Sequence, residues 1–228
     1  MNDKIIGVTK KSNKIVDYLS ELLDNEKIMF SYEEDENNVN FIVNTDNEWA
    51  ENAIADIFVG HYKYKQISKF LKPKFDNDYL FSAFVGAIIS IDIEVERQQI
   101  LESLPNCKWI NLDGIYNFCL NKIRKSWEAL AYLSNRLYSQ CNTEKDLYKL
   151  TMFMLGVEDD NFAVLSVEKQ DDIILLKNGE RLSLFNFFEK QECNAIATIL
   201  ANCPSEIIVK SNEAFTKEFM SVLQKIGV

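Results

Sequence analysis

Asp92, Glu94 and Glu96, spaced two apart in the run "IDIEVE", are the side chains of this 228-residue sequence best suited to holding a hard cation. On a β-strand they would share one face and offer oxygen ligands to Mg²⁺, the basis of a metal-dependent phosphoester hydrolase. On a helix only Asp92 and Glu96 lie together, as a mildly repulsive surface pair. The flanking segments "YLFSAFVGAI" and "RQQILESL" are helical in pattern, so a helix is the expected form and neither a metal nor another cofactor is expected. Glu48 with Glu51, Asp159 with Asp160, and Asp171 with Asp172 read as cap or turn residues. His61 is the only histidine, so any imidazole chemistry must use it; beside tyrosines and lysines it reads as a surface residue. Cys107, Cys119, Cys141, Cys193 and Cys203 form no CxxC pair and have no second histidine to complete a zinc set, which points to reduced, mostly buried thiols. No glycine-rich phosphate cradle is present, and catalysis is the less favoured expectation.

Two surfaces have the character of binding sites. Within "HYKYKQISKFLKPKF", residues 61–75, helical spacing puts Tyr64, Ile67 and Leu71 on one side and Lys65, Lys69 and Lys72 opposite, with Lys63 nearer the border. Such a stripe can grip the phosphates of a nucleic acid, an anionic lipid surface or an acidic partner, which would make the chain a nucleic-acid-binding protein in the first case, but a solvated face near a helix C-terminus accounts for it more simply. A longer helix over residues 112–138 is expected to bury Leu112, Ile115, Cys119, Leu120, Ile123, Trp127, Leu130, Leu133 and Leu137. Phe118, Lys125, Tyr132 and Arg136 form a separate line on that helix, either a second internal seam or an anchor for a protein partner.

The bulk composition restricts the partners. With 25 Lys and Arg against 35 Asp and Glu, the net charge is -10, which repels nucleic acid and anionic lipid on average. The apolar run "YLFSAFVGAIISI" falls well short of the ~20 residues of a bilayer crossing and reads as a core helix. The N-terminus "MNDKIIGVTKKSNK" lacks a secretory apolar stretch, so a cytoplasmic protein without a membrane span is expected.

The elements that position these residues make an α+β chain. "KIIGV" reads as a strand, "SNKIVDYLSELLDNE" as a helix behind Ser12 or Asn13, and "KIMFSY" and "VNFIVN" as a hairpin, giving a small β-α-β-β module. Thr45 or Asp46 caps the next helix, which runs towards Pro73; Asp76 or Asn77 starts another that ends before Pro105. "TEKDLYKLTMFML" opens on a T-x-x-D cap. The tail reads β-β-α-β-α: "NFAVLSVE", "DIILL", a "KNGE" turn, a helix over 191–203, the strand "SEIIVK" and a helix over 212–226. Three parts are expected: an N-terminal α/β module over 1–75, a helical middle over 76–156 and a C-terminal α/β module over 157–228, or all of them as one compact unit.

From about residue 54 onward the chain resembles the YtxC-like family of sporulation proteins of spore-forming Firmicutes. The resemblance rests on "ERQQILESLPNCKWINLDGIYNFCLNKI", "DLYKLTMFML" and "CNAIATILANCPSEIIVKSNEAFTKEFMSVLQKI". Gly114 and Phe118 match the family's glycine and central phenylalanine; residues 195–200, Pro204 and residues 207–209 match its helix, proline and aliphatic strand. Where the family often carries arginines beside that phenylalanine, this chain has Asn117 and Cys119. The resemblance implies a role in sporulation and no particular reaction. The function expected is therefore non-catalytic binding of a protein partner.

Overall fold

The computed structural model describes residues 2–156, 164–210 and 212–226, so Asp159 and Asp160 lie outside the described residues. The chain is α+β, with two four-stranded mixed sheets among the described residues. It divides into two compact units that are interleaved along the sequence. The first comprises 1–66 and 92–128, the second 67–91 and 129–228, in place of consecutive modules.

In the first unit β1 (Asn2–Thr9) lies between β3 (Asn38–Thr45), antiparallel to it, and β4 (Trp109–Asn111), parallel to it. β2 (Phe30–Glu34) completes the order β2-β3-β1-β4. Alternation along the strands buries Ile6, Val8, Val39, Phe41, Val43 and Ile110 on one face. Helices α1 (Asn13–Asn25), α2 (Asn47–Ile57) and α6 (Leu112–Phe118) pack against β1. α1 presents Ile15, Tyr18, Leu19 and Leu23 inward, and Ser12 stands at its N-cap without a side-chain cap bond. Asp46 caps α2 by accepting the Trp49 N–H at 2.7 Å.

α2 does not run on unbroken. A π turn, Phe58–Tyr62, follows it, in which the Lys63 N–H bonds the Phe58 carbonyl five residues back. A short α3 (Lys63–Ile67) then ends the helix before Pro73 is reached. α5 (Ile93–Ser103) is also separate from α4 (Asp78–Ser90), because Asp92 takes a left-handed conformation with φ 58°.

The rod expected over residues 112–138 is broken too. The Ile115 carbonyl accepts from both Cys119 and Leu120, at 2.8 and 3.1 Å, a widened last turn that closes α6. Leu120 starts α7 (Asn121–Gln140) by accepting the Arg124 N–H, and the break lets Leu120 enter the core while Cys119 stays exposed.

The second unit has the order β7-β6-β5-β8, with β5 (Val164–Lys169) antiparallel to β6 (Ile173–Lys177) and parallel to β8 (Glu206–Val209). β7 (Glu180–Leu182), which the sequence pattern did not show, follows the Asn178-Gly179 turn, where φ is 53° and 90° as a tight hairpin requires. α4 (Asp78–Ser90) is buried almost all round, as its apolar sequence demands, and Asn77 caps it through the Leu80 N–H at 3.0 Å. α8 (Glu144–Leu155) opens on a true capping box of Thr143 and Asp146. α9 (Gln191–Ala201) and α10 (Lys217–Ile226), with a 3₁₀ turn at Asn212–Ala214 before α10, finish the unit. The core joins Leu165, Val167, Leu175, Ile196, Ile199, Phe219 and Val222. No helix among the described residues is long and apolar enough to cross a membrane.

α4 and α9 approach closely at Gly86, where a Cβ would stand 2.6 Å from the Ala197 carbonyl oxygen and 3.0 Å from its Cα. Gly86→Ala gains helix propensity but forces two backbones apart. We expect it to destabilise the protein by about 1–3 kcal/mol, read as a lower urea midpoint by circular dichroism.

Candidate functional site

The three carboxylates of "IDIEVE" do not converge. Asp92 and Glu94 are exposed, whereas Glu96, expected as a surface partner of Asp92, points inward and is bonded to Lys63. Among the described residues no cluster of three His, Cys, Asp or Glu is placed to hold a metal ion.

Lys63 is the larger surprise. Its side chain is 0% exposed and its ammonium lies 2.7 Å from the Glu96 carboxylate, itself 8% exposed, so Lys63 belongs to no solvated stripe. Lys63 stands at the border of its helix wheel, and what draws it inward is Glu96, 33 positions away, which no helix wheel can show. Burial pushes the Glu96 carboxyl above the usual carboxylate range, and the Lys63 ammonium, with a smaller contribution from the Trp127 indole, pulls it back. The remaining lysines scatter. Lys65 is paired with Asp113 at 3.8 Å and sits 5.4 Å over the Tyr62 ring, while Lys69 and Lys72 lie beyond the end of α3 and are exposed.

Aromatic rings wall this centre. Tyr62 lies 4.8 Å from Phe58 and 4.7 Å from Tyr116, and Tyr116 stacks on the wholly buried Trp127 at 6.4 Å. The Tyr116 hydroxyl donates to Gln66 at 3.1 Å, and Arg124 covers the outer side of the Tyr116 ring at 5.4 Å. Arg97 ties α5 to α2 through Asp56 at 2.7 Å and Asn52 at 2.9 Å. His61 is buried, not on the surface: its ring packs 4.3 Å from Tyr18, and burial, with a smaller push from the Lys14 charge, lowers its pKa to about 3. A closed ion pair and a buried neutral imidazole give a substrate no approach. Their role is to fix the helices of the first unit.

The second unit holds a comparable pair, Lys169–Glu192 at 2.8 Å, with Glu192 also accepting from the Thr216 hydroxyl at 2.5 Å. Burial alone would raise the Glu192 pKa, but these bonds outweigh it and the net shift is downward. A surface cleft of about 280 Å³ between α8 and α10 is lined by Tyr148, Lys217, Ser221 and Lys225, the last lying over the Tyr148 ring at 5.1 Å.

The aromatic-basic line is exposed but not continuous. Phe118, 83% exposed, ends α6, whereas Lys125, Tyr132 and Arg136 follow one another on α7, all solvent-facing, with Tyr132 at 64%. Leu133, expected in the buried stripe, is exposed beside Tyr132. The open face of the first sheet, with Trp109 on β4, escaped the sequence reading altogether. Its one visible sign was Gly7 inside the strand "KIIGV", since a strand-interior glycine marks a close approach. No family model, no curated protein and no solved structure matches the chain.

Breaking the ion pair from one side should cost far more than replacing it whole. Lys63→Met leaves the Glu96 carboxylate buried alone and is expected to lose about 3–5 kcal/mol in urea melts, most of which the double variant Lys63→Met/Glu96→Leu recovers. His61 has a folded pKa below its unfolded value near 6.5, so its neutral form contributes stability in full above that value and loses it as pH falls towards about 3. Between pH 7 and pH 5 the wild type should lose about 2 kcal/mol more than His61→Phe, measured by paired denaturation curves.

Proposed function

We propose that this protein is non-catalytic and acts in sporulation by binding a protein partner, the setting that its resemblance to the YtxC-like family implies. The observation that carries this reading is the solvent-facing side of α7. Tyr132 and Leu133 stand exposed there, with Lys125 and Arg136 at helical intervals from Tyr132. An exposed tyrosine beside an exposed leucine on one helix is costly to leave wet and has the composition of an interface anchor.

The charge on the same helix defines the partner. α7 carries Lys122, Arg124, Lys125 and Arg136 against the single acid Glu128, inside a chain of net charge -10. A partner with an acidic rim around an apolar socket complements it, and one of the same overall sign as the rest of the chain is steered to this helix rather than elsewhere. Phe118 sits outside the α7 line and is a second, separate anchor at the end of α6.

Tyr132→Ala combined with Lys125→Glu should leave helicity unchanged and the melting temperature within about 2 °C of wild type, because neither side chain belongs to the core. In sporulating cells the same pair of changes should abolish the crosslinked adduct formed by the wild-type chain. An unchanged adduct would remove α7 from the binding surface, and Phe118→Ala tested alone reports whether α6 contributes.

A further inference from the structure

β2 stands at one end of the first sheet, and among the described residues no strand pairs with its outer edge. The Asn44 N–H donates to the Met29 carbonyl at 3.1 Å and the Asp35 N–H to the Asn38 carbonyl at 3.0 Å. Antiparallel bonding alternates along the strand, so Met29, Ser31, Glu33 and Asp35 direct their backbone groups at β3. Phe30, Tyr32 and Glu34 therefore turn their N–H and carbonyl groups outward.

The side chains of these three residues lie on the face of the sheet that buries the core. Register sets Phe30 opposite Val43 and Tyr32 opposite Phe41, and the rings of Phe30 and Tyr32 lie 5.9 and 6.1 Å from that of Phe41. The helices α1, α2 and α6 pack on β1, and β3 stands between β1 and β2. Tyr32 is left 59% exposed, and Met29, just before the strand, 76%. The core thus runs out into an uncovered apolar ledge beside a row of outward-facing backbone donors and acceptors.

An added strand meets both features. Lying about 4.8 Å from β2, it would bond the backbone of Phe30, Tyr32 and Glu34 and lay every second side chain against the ledge. Charge selects its chemistry. Glu33, Glu34, Asp35 and Glu36 follow one another at the hairpin end of β2, all exposed. Glu34 is paired with Lys10 at 2.9 Å, and Asp35 accepts the Asn37 and Asn38 N–H groups, each at 2.7 Å, which leaves Glu33 and Glu36 to face a partner. A second copy would set another net charge of -10 and its own acidic run against this edge, whereas a basic segment complements it.

We infer that the outer edge of β2 accepts an extended basic segment of a protein partner as a further antiparallel strand, its apolar side chains beside Phe30 and Tyr32 and its lysines or arginines beside Glu33 on the other face. This surface belongs to a different element from α7 and does not rest on the reading of that helix.

The peptide carboxyfluorescein-Lys-Val-Arg-Val-Lys-Val-Arg-amide, titrated into the full chain with fluorescence anisotropy as readout, tests it. Saturable binding is expected. With valines opposite Phe30, Tyr32 and Glu34, the valine N–H groups point at β2 and those of the basic residues point away. N-methylation of the valines should therefore weaken binding at least about tenfold, and N-methylation of the arginine and lysine between them should change it less than about twofold, although the two peptides carry the same charge. Glu33→Lys should weaken binding about tenfold at low salt while the melting temperature holds. No saturable binding, equal losses with the two methylated peptides, binding that Glu33→Lys leaves unchanged, or a chain that sediments as a dimer and excludes the peptide would overturn the assignment.

Discussion

A charge cannot stay in the interior of a protein of this size without a partner, and the Lys63–Glu96 pair is the constraint around which the first unit is arranged. Three irregularities of the helices stand shortly before Lys63, Glu96 and their neighbour Trp127. The π turn at Phe58–Tyr62 delivers Lys63, the left-handed Asp92 sits one turn before Glu96, and the break at Cys119–Leu120 precedes Trp127 by two turns. Each of these features costs free energy taken alone. A straight helix through residues 77–104 would leave Glu96 on the surface beside Asp92, whereas Trp127 is wholly buried, as its apolar stripe requires.

That explains which parts of the structure were legible beforehand. Features decided locally came through: the hairpin of β2 and β3, the Asp46 and Asn77 caps, the Thr143–Asp146 capping box, the Asn178-Gly179 turn and the all-apolar α4. Each depends on residues within a few positions of one another. Lys63, Glu96 and His61 depend instead on partners far along the chain, Lys63 and Glu96 on one another across 33 positions and His61 on Tyr18. The strand β4 was missed for a different reason, since three residues are too few for a period and its pairing partner, β1, lies about a hundred positions away. With β4 went Trp109 and Asn111.

The two sheets share a plan in which a central strand has an antiparallel neighbour on one side and a short parallel strand at the edge on the other. A parallel partner demands a crossover, and the two units meet that demand differently. Between β5 and β8 the crossover contains the hairpin strands β6 and β7 and the single helix α9. Between β1 and β4 the chain passes through α1 to α5 and, over 67–91, through the second unit before it returns at Asp92. The irregular backbone of the first unit is concentrated in that long excursion. A crossover with so many joints has more positions at which helix phase can be reset, and the reset at Phe58–Tyr62 directly precedes the buried lysine.

Where function can lie follows from how the buried polar groups are engaged. Lys63 with Glu96 is closed to solvent, and the buried Glu192 is bonded to the partly exposed Lys169 and to Thr216, so a substrate reaching either carboxylate would have to break bonds that hold its unit together. Groups that meet solvent are different in kind: tyrosine, leucine and arginine along α7, and Trp109 on the first sheet. Side chains of these kinds suit the recognition of shape and apolar area. The α7 surface suits a protein, because its aromatic and cationic side chains are long and can adapt.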